Sequence, residues 1–168
     1  MEALRAAFTG MGFQDVLNVQ ASGNVLFHAV GELACVEADD AGEYPETAAL
    51  AARIEEGLEQ AFGYHVGVMV RRSRGLERLV ASDPFQGVAM NPETRLYVTF
   101  LSRPAENGTG INPEARIRLL KVGELEVLTA IDLAPGWGTT ELMAWLERRF
   151  GKDVTTRNWN TILKIAGA

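Results

Sequence analysis

The fold class is decided by one stretch near the N-terminus, residues 16–30, which reads VLNVQASGNVLFHAV. Two segments rich in β-forming residues flank the dipeptide Gly23-Asn24, which suits a two-residue hairpin turn. The alternation of apolar and polar positions predicts that His28 is half-buried. An antiparallel hairpin at this place favours a mixed fold over a parallel sheet.

Helical and extended patterns continue on both sides of this hairpin. Apolar residues at helical spacing predict helices, and short β-rich runs bounded by Gly and Pro predict strands. The mixture of helices and hairpins favours an α+β fold. The predicted helices are 2–11, 46–62, 73–81, 139 or 140 to 150, and 156–166, and the predicted strands are 16–21, 25–30, 65–70, 95–101, 117–122 and 124–131.

The order of these elements predicts two ferredoxin-like subdomains packed as one compact unit. Residues 1–72 would form a complete split β-α-β unit if one strand preceded Met1, so this first subdomain is expected to lack its N-terminal strand. Residues 73–168 form the second subdomain and carry the C-terminal helix.

Composition excludes several classes of protein. The 168 residues are 47% hydrophobic and contain a single cysteine, Cys35, which excludes a disulfide framework and any multi-cysteine metal site. No apolar run approaches the roughly 20 residues that span a bilayer, and no secretion signal opens the chain. We expect a cytoplasmic protein that does not contact the membrane.

The net charge of −6 is concentrated in one segment. Residues 32–60 hold nine acidic residues and one basic residue, Arg53, whereas the rest of the chain holds 13 acidic and 15 basic residues. The remaining surface is therefore mildly basic, which is compatible with an anionic ligand.

Two predicted helix starts point to such a ligand. Unpaired N–H groups and the helix dipole attract anions at these ends, and Arg157 could hold a phosphate or carboxylate with two hydrogen bonds. The alternative is that the threonines are ordinary N-caps. Glu141, in the first turn of its helix, would repel an anion. With the hairpin turn, the candidate ligand-binding residues are Ser22, Gly23, Asn24, Gly136, Gly138, Thr139, Thr140, Thr155, Thr156, Arg157, Asn158 and Asn160.

Recognisable catalytic motifs are absent from the sequence. It has no dinucleotide fingerprint, no phosphate-loop lysine and no histidine pair at metal-ligand spacing, so we expect no cofactor and no metal. A basic cluster, Arg71, Arg72, Arg74 and Arg78, could contact nucleic acid. No aromatic residues are interleaved with it, so nucleic-acid binding is not favoured.

Five motifs, in order along essentially the whole chain, carry a family resemblance. They are QASGNVLF at 20–27, AFGY with VGVMVR at 61–64 and 66–71, DPF at 83–85, LYVTFL at 96–101 and TTRNWNT at 155–161. The chain resembles the bacterial family catalogued as domain of unknown function 1697. That resemblance implies an α+β protein with ferredoxin-like subdomains and implies no activity, cofactor or substrate.

Two departures from the family pattern bear on the site. Members typically begin with a strand and a Gly-rich turn ahead of the helix that starts this chain. Members also often carry Gly-x-Gly-x-Ser-Lys-Leu where this chain has GWGTTEL at 136–142. The replacement of lysine by Glu141 reverses a charge at a candidate anion site.

The sequence thus predicts a binding module for a small anionic ligand. The alternatives are an enzyme for a small substrate without a recognisable motif, and a nucleic-acid-binding protein. A sheet edge left without its strand could also pair with a second copy, giving a homodimer.

Overall fold

Residues 2–19, 23–31, 43–105 and 116–167 are described by the structure, a computed structural model. Within them the chain forms five helices and two antiparallel sheets, so the predicted α+β fold is confirmed. Two compact units can be distinguished, Met1–Gly75 together with Lys164–Ala168, and Leu76–Leu163. The ferredoxin-like arrangement of each half stays a prediction.

The first unit combines a hairpin with two helices. Strands β1 and β2 pair antiparallel, and α1 packs against both β1 and α2. The bounds are α1 Glu2–Gly10, β1 Gln14–Val19, β2 Asn24–His28 and α2 Glu43–Phe62, followed by α3, Ser73–Ala81, which crosses into the second unit.

An apolar cluster, which we call the first core, holds these elements together. Three aromatic rings pack at its centre, and the ring centroids of Phe13 and Phe27 lie 4.6 Å apart. The helix α2 adds a stripe at helical spacing, as predicted. The buried members of the first core are Phe8, Phe13, Val16, Leu50, Ile54 and Leu58.

The hairpin differs from its prediction in two respects. Asn24 pairs with Val19 inside the ladder, so Gly23-Asn24 is not a two-residue turn. The prediction that His28 is half-buried is also wrong, because its side chain is 76% exposed and bonds Asp15. A bulge at Asp15, whose φ is +50°, shifts the register, and the buried face of the hairpin is the one that carries Val16.

The predicted strand at 65–70 does not form. These residues belong to neither sheet, although Val66, Val68 and Val70 pack against the first core. The N–H of Val68 donates instead to a carboxylate oxygen of Glu55, at 2.8 Å. A strand needs a neighbouring backbone, and among the described residues none pairs with this segment.

The second unit is built on a four-stranded antiparallel sheet. The strand order is β4-β5-β3-β6, which places β3 at the centre between β5 and β6. The hairpin of β4 and β5 was predicted, and so was β3. The bounds are β3 Thr94–Leu101, β4 Ile117–Val122, β5 Glu126–Asp132, α4 Thr139–Phe150, β6 Val154–Asn158 and α5 Trp159–Ala166.

One face of this sheet packs against α4. The helix buries Leu142, Trp145 and Leu146, the three residues that its apolar stripe predicted. Together with the sheet they form what we call the second core. Its buried members are Tyr97, Leu101, Ile117, Val127, Ile131, Leu142, Trp145 and Leu146.

The last predicted helix begins later than expected. Residues 154–158 form strand β6, and the helix starts only at Trp159. The prediction that Thr155 and Thr156 stand at a helix start is therefore wrong. β-branched threonines suit a strand, and β3 supplies the ladder partner. No helix in the described part of the chain is both long enough and apolar enough to cross a membrane.

Candidate functional site

The junction between β6 and α5 contains five of the predicted site residues, four in β6 and Asn160 in the first turn of α5. Thr155, Thr156 and Arg157 alternate along β6, so Thr155 and Arg157 lie on one face of the sheet and Thr156 on the other. Asn158 ends the strand, where α5 begins. The side chains are thus placed by a strand that changes directly into a helix, and not by a helix start as the sequence suggested.

Arg157 is the charged group of this junction. It lies opposite Val98, which is fully buried, and its own side chain is half-buried. One guanidinium nitrogen, Nη1, donates to the carbonyl oxygen of Thr156 at 3.0 Å. Burial lowers the pKa of Arg157 below its ordinary value, because removal from water disfavours the charged form. The guanidinium nevertheless stays charged at neutral pH.

Asn158 caps the helix that follows. Its Oδ1 accepts a hydrogen bond from the N–H of Asn160 at 3.0 Å, the geometry of an N-cap side chain. Asn160 itself is exposed in the first turn of α5. The positive end of the α5 dipole therefore lies next to Arg157 in the chain.

The start of α4 is already occupied by a carboxylate of the protein. Gly138 is the N-cap, and its N–H donates to Oε2 of Glu141 at 2.6 Å. The prediction that Thr139 or Thr140 caps α4 is therefore wrong. An internal carboxylate at this place satisfies the helix end and opposes a bound anion.

Two other predicted residues near α4 have structural partners. Gly136 follows Pro135 in a tight turn closed by hydrogen bonds between Ala134 and Trp137, and its φ of +70° is the left-handed conformation that favours glycine. The hydroxyl of Thr139 lies 2.7 Å from the hydroxyl of Tyr97. Thr140 is exposed.

The hairpin residues of the candidate site belong to the first unit. Ser22 lies outside the described residues. Gly23 has a φ of +72°, and Asn24 donates from Nδ2 to the carbonyl of Val19 at 3.3 Å.

Buried hydroxyls in the second unit were not anticipated. Thr99 and Thr156 share a hydrogen bond of 3.0 Å between their Oγ1 atoms across the β3 and β6 ladder. Thr129 is fully buried, and its hydroxyl has no hydrogen-bond partner in the part of the chain that the structure describes. Their positions on paired strands could have been found only with the register known.

A second unanticipated cluster surrounds Asp132 at the end of β5. Its Oδ1 accepts hydrogen bonds from the Thr94 hydroxyl at 2.6 Å, from Arg118 at 3.1 Å and from Asn91 at 3.3 Å. These bonds, with that of Thr94 the largest cause, lower the pKa of Asp132 below its ordinary value of 3.8. The cluster ties the loop before β3 to the sheet.

Arg71 and Arg72, the two members of the basic cluster that precede α3, make contacts within the first unit. Arg72 bonds the carboxylate of Glu46, and Nη1 of Arg71 donates to the carbonyl of Val70 at 2.7 Å. Among the residues that the structure describes, no group of three or more His, Cys, Asp or Glu side chains could hold a metal ion.

Comparisons with known proteins give one match. The family model described as "Protein of unknown function (DUF1697)" matches residues 1–115, more than half of the chain. The C-terminal motif at 155–161 lies beyond the matched part. Neither the curated proteins nor the solved structures gave a match. The match includes the N-terminal part of the first unit, Met1–Gly75, and strand β3, and on this evidence the chain belongs to the DUF1697 family, whose function is unknown.

Proposed function

We propose that this protein binds a small molecule that carries a phosphate or carboxylate group, and that Arg157 holds it. The observation that carries the proposal is the half-buried guanidinium of Arg157 at the junction of β6 and α5. Water screens the charge of a half-buried guanidinium less than that of an exposed one, so it attracts an oxyanion more strongly.

The neighbourhood of Arg157 supports an anion more than the start of α4 does. Arg157 is followed by the N-terminus of α5, whose dipole favours negative charge. At α4 the carboxylate of Glu141 already takes the N–H of Gly138. The proposal therefore keeps Arg157, Asn158 and Asn160 as ligand-binding candidates and drops the start of α4 as the anion site.

The geometry of the guanidinium defines the ligand class. Its N–H donors form a planar fork that matches two oxygens of a phosphate or a carboxylate, whereas a lysine offers a point charge. We infer a ligand with at least one such oxyanion group.

Thermal denaturation in the presence of inorganic phosphate, nucleotides and small carboxylates tests the proposal. A ligand at about 100 times its Kd stabilises the folded protein by about 2.7 kcal/mol. We expect one of these anions to raise the Tm of the wild type, Arg157→Ala to remove the rise, and Arg157→Lys to keep only part of it. Circular dichroism without ligand establishes that each variant is folded.

The matched control is Arg149→Ala, an exposed arginine in the last turn of α4. It changes the net charge by the same amount and should leave the rise in Tm intact. If an anion stabilises Arg157→Ala as much as the wild type, Arg157 does not hold the ligand. If no anion stabilises the wild type, the protein is not an anion-binding module.

We further infer a cytoplasmic location. The support is the single cysteine, Cys35, which suits a reducing compartment because it cannot form a disulfide within the chain. Fractionation of cells that express the full-length gene tests it, and recovery in an exported fraction would contradict it.

A further inference from the structure

Both edges of the four-stranded sheet carry features that oppose pairing with another strand. The N–H of Ser102 donates to the carbonyl of Asp153. Because successive residues of an antiparallel strand direct their backbone groups to opposite sides, those of Thr156, three residues later, point away from β3. Arg157 covers the Thr156 carbonyl on that outer edge. At the other edge, β4 has a bulge and carries Lys121. Bulges and positive side chains are the usual protection of edge strands.

The segment 65–70 in the first unit has two unlike edges. Its valines at 66, 68 and 70 all pack against the first core, a period of two that requires an extended backbone. The N–H of Val68 is taken by Glu55, and the carbonyl of Val70 by Arg71. Residues two apart in an extended segment direct their backbone groups to the same side. The side chains of Glu55 and Arg71 therefore cover the same edge of the segment.

The opposite edge has no backbone hydrogen-bond partner among the described residues, and we call it the bare edge. It presents the backbone groups of His65, Gly67 and Met69, which form no hydrogen bond with any described residue. A β-carbon added at Gly67 would meet nothing within 4 Å. An extended segment whose backbone N–H and C=O groups are not bonded along one edge can pair with another strand at that edge.

We propose that this bare edge pairs antiparallel with the same edge of a second copy of the chain. A two-fold axis at Val68 sets Val66 of one copy opposite Val70 of the other and Val68 opposite its own equivalent. All three valines then face cross-strand valines on the core side of the ladder, which extends both first cores. The backbone groups of Gly67 and Met69 exchange hydrogen bonds across the axis.

The flanking residues favour a second copy over an unrelated peptide. In the same register Tyr64 lies opposite Arg72 of the other copy, whose guanidinium also bonds Glu46 of its own chain. Tyr64 is 64% exposed beside Phe62, at a centroid distance of 6.1 Å. A cation above such a ring is attracted to its face. An isologous contact repeats this pair on both sides of the axis.

Sedimentation velocity over a wide range of protein concentration tests the proposal, with Gly67→Pro and Gly67→Ala as a matched pair. Proline removes the N–H that the pairing needs, whereas alanine keeps it and fills open space. We expect the wild type and Gly67→Ala to form dimers. For Gly67→Pro we expect a dimer dissociation constant at least about tenfold higher than that of the wild type. His65→Pro, at an exposed position of the same edge, gives a second variant should Gly67→Pro fail to fold.

Three results would overturn the proposal. They are a wild type that stays monomeric at every concentration, a dimer that both proline variants leave unchanged, and a dimer that Gly67→Ala abolishes as fully as Gly67→Pro. Loss in proline variants that keep the wild-type circular dichroism, with retention in Gly67→Ala, would support it.

Discussion

The two units differ in how their extended segments satisfy the backbone. In the second unit β3 pairs with a strand on each side, and Val98 and Thr99 in it are fully buried. In the first unit the segment 65–70 has the apolar alternation of a strand but no strand beside it, and the side chain of Glu55 takes one of its N–H groups. Apolar alternation therefore places a segment on a core, whereas only hydrogen bonds to a neighbouring backbone make that segment a strand.

The largest expected effect lies in the second core. Leu146→Ala removes a fully buried side chain of α4 and should lower the free energy of unfolding by about 2–5 kcal/mol. Met143→Ala, on the same helix at a position that is 43% exposed, should change it by about 0.5 kcal/mol or less. Urea denaturation measures both. Equal effects would mean that α4 does not close this core.

The next largest effect is expected in the first unit, at Glu55, whose carboxylate accepts the hydrogen bond that a neighbouring strand would otherwise accept from Val68. Glu55→Ala leaves the Val68 N–H without its acceptor and should cost about 1.5–3 kcal/mol, since the acceptor is charged. Glu55→Gln keeps an oxygen acceptor and should cost less. Glu56→Ala, at an exposed neighbouring position on α2, is the control for lost charge. A cost for Glu56→Ala as large as that for Glu55→Ala would contradict this role.

Two buried threonines on one face of the second sheet should respond with opposite signs. Thr129→Val removes a buried hydroxyl that bonds none of the described residues and should raise the free energy of unfolding by about 1 kcal/mol. Thr99→Val breaks the bond to Thr156 and should lower it by about 1 kcal/mol. Chemical denaturation of the two variants side by side tests the pair, and the same sign in both would refute this assignment of partners.

The smallest effect is a pH dependence at the Asp132 cluster. Because the folded pKa of Asp132 lies below its ordinary value of 3.8, its charge stabilises the fold at neutral pH, and that contribution is lost as the pH falls through the lowered pKa. Asp132→Asn should therefore flatten the acid limb of the stability curve. Thr94→Val removes the largest cause and should raise the pKa of Asp132 in an NMR titration. An unchanged pKa in that variant would contradict the assigned cause.

Much of the fold could be predicted because its signals are local. The stripe of α2, the inward residues of α4 and the β4 and β5 hairpin all follow from short patterns. The wrong predictions concern elements whose structure depends on residues distant in the sequence. Strand β6 depends on β3, since Thr99 and Thr156 are 57 residues apart, and the exposure of His28 depends on the bulge at Asp15.

The sequence could predict which residues belong to the candidate site better than it could predict the helices and strands that carry them. The sequence indicated Arg157 and a polar junction, and it also indicated that Glu141 opposes an anion at α4. It placed Arg157 on a helix start, because hydroxyls before an apolar stripe are typical of N-caps. In the structure Asn158 takes that role. The Asp132 cluster was not predicted, since its members are brought together only by the registers of β3 and β4 with β5.

Amide hydrogen exchange read residue by residue tests the central contrast most directly. In dilute protein we expect the amides of Val98 and Thr99 in β3 to exchange slowly and those of Gly67 and Met69 to exchange fast. In concentrated protein the latter two should become protected. Protection of Gly67 and Met69 equal to that of β3 in dilute protein would show that the segment 65–70 is already paired, and would contradict the account.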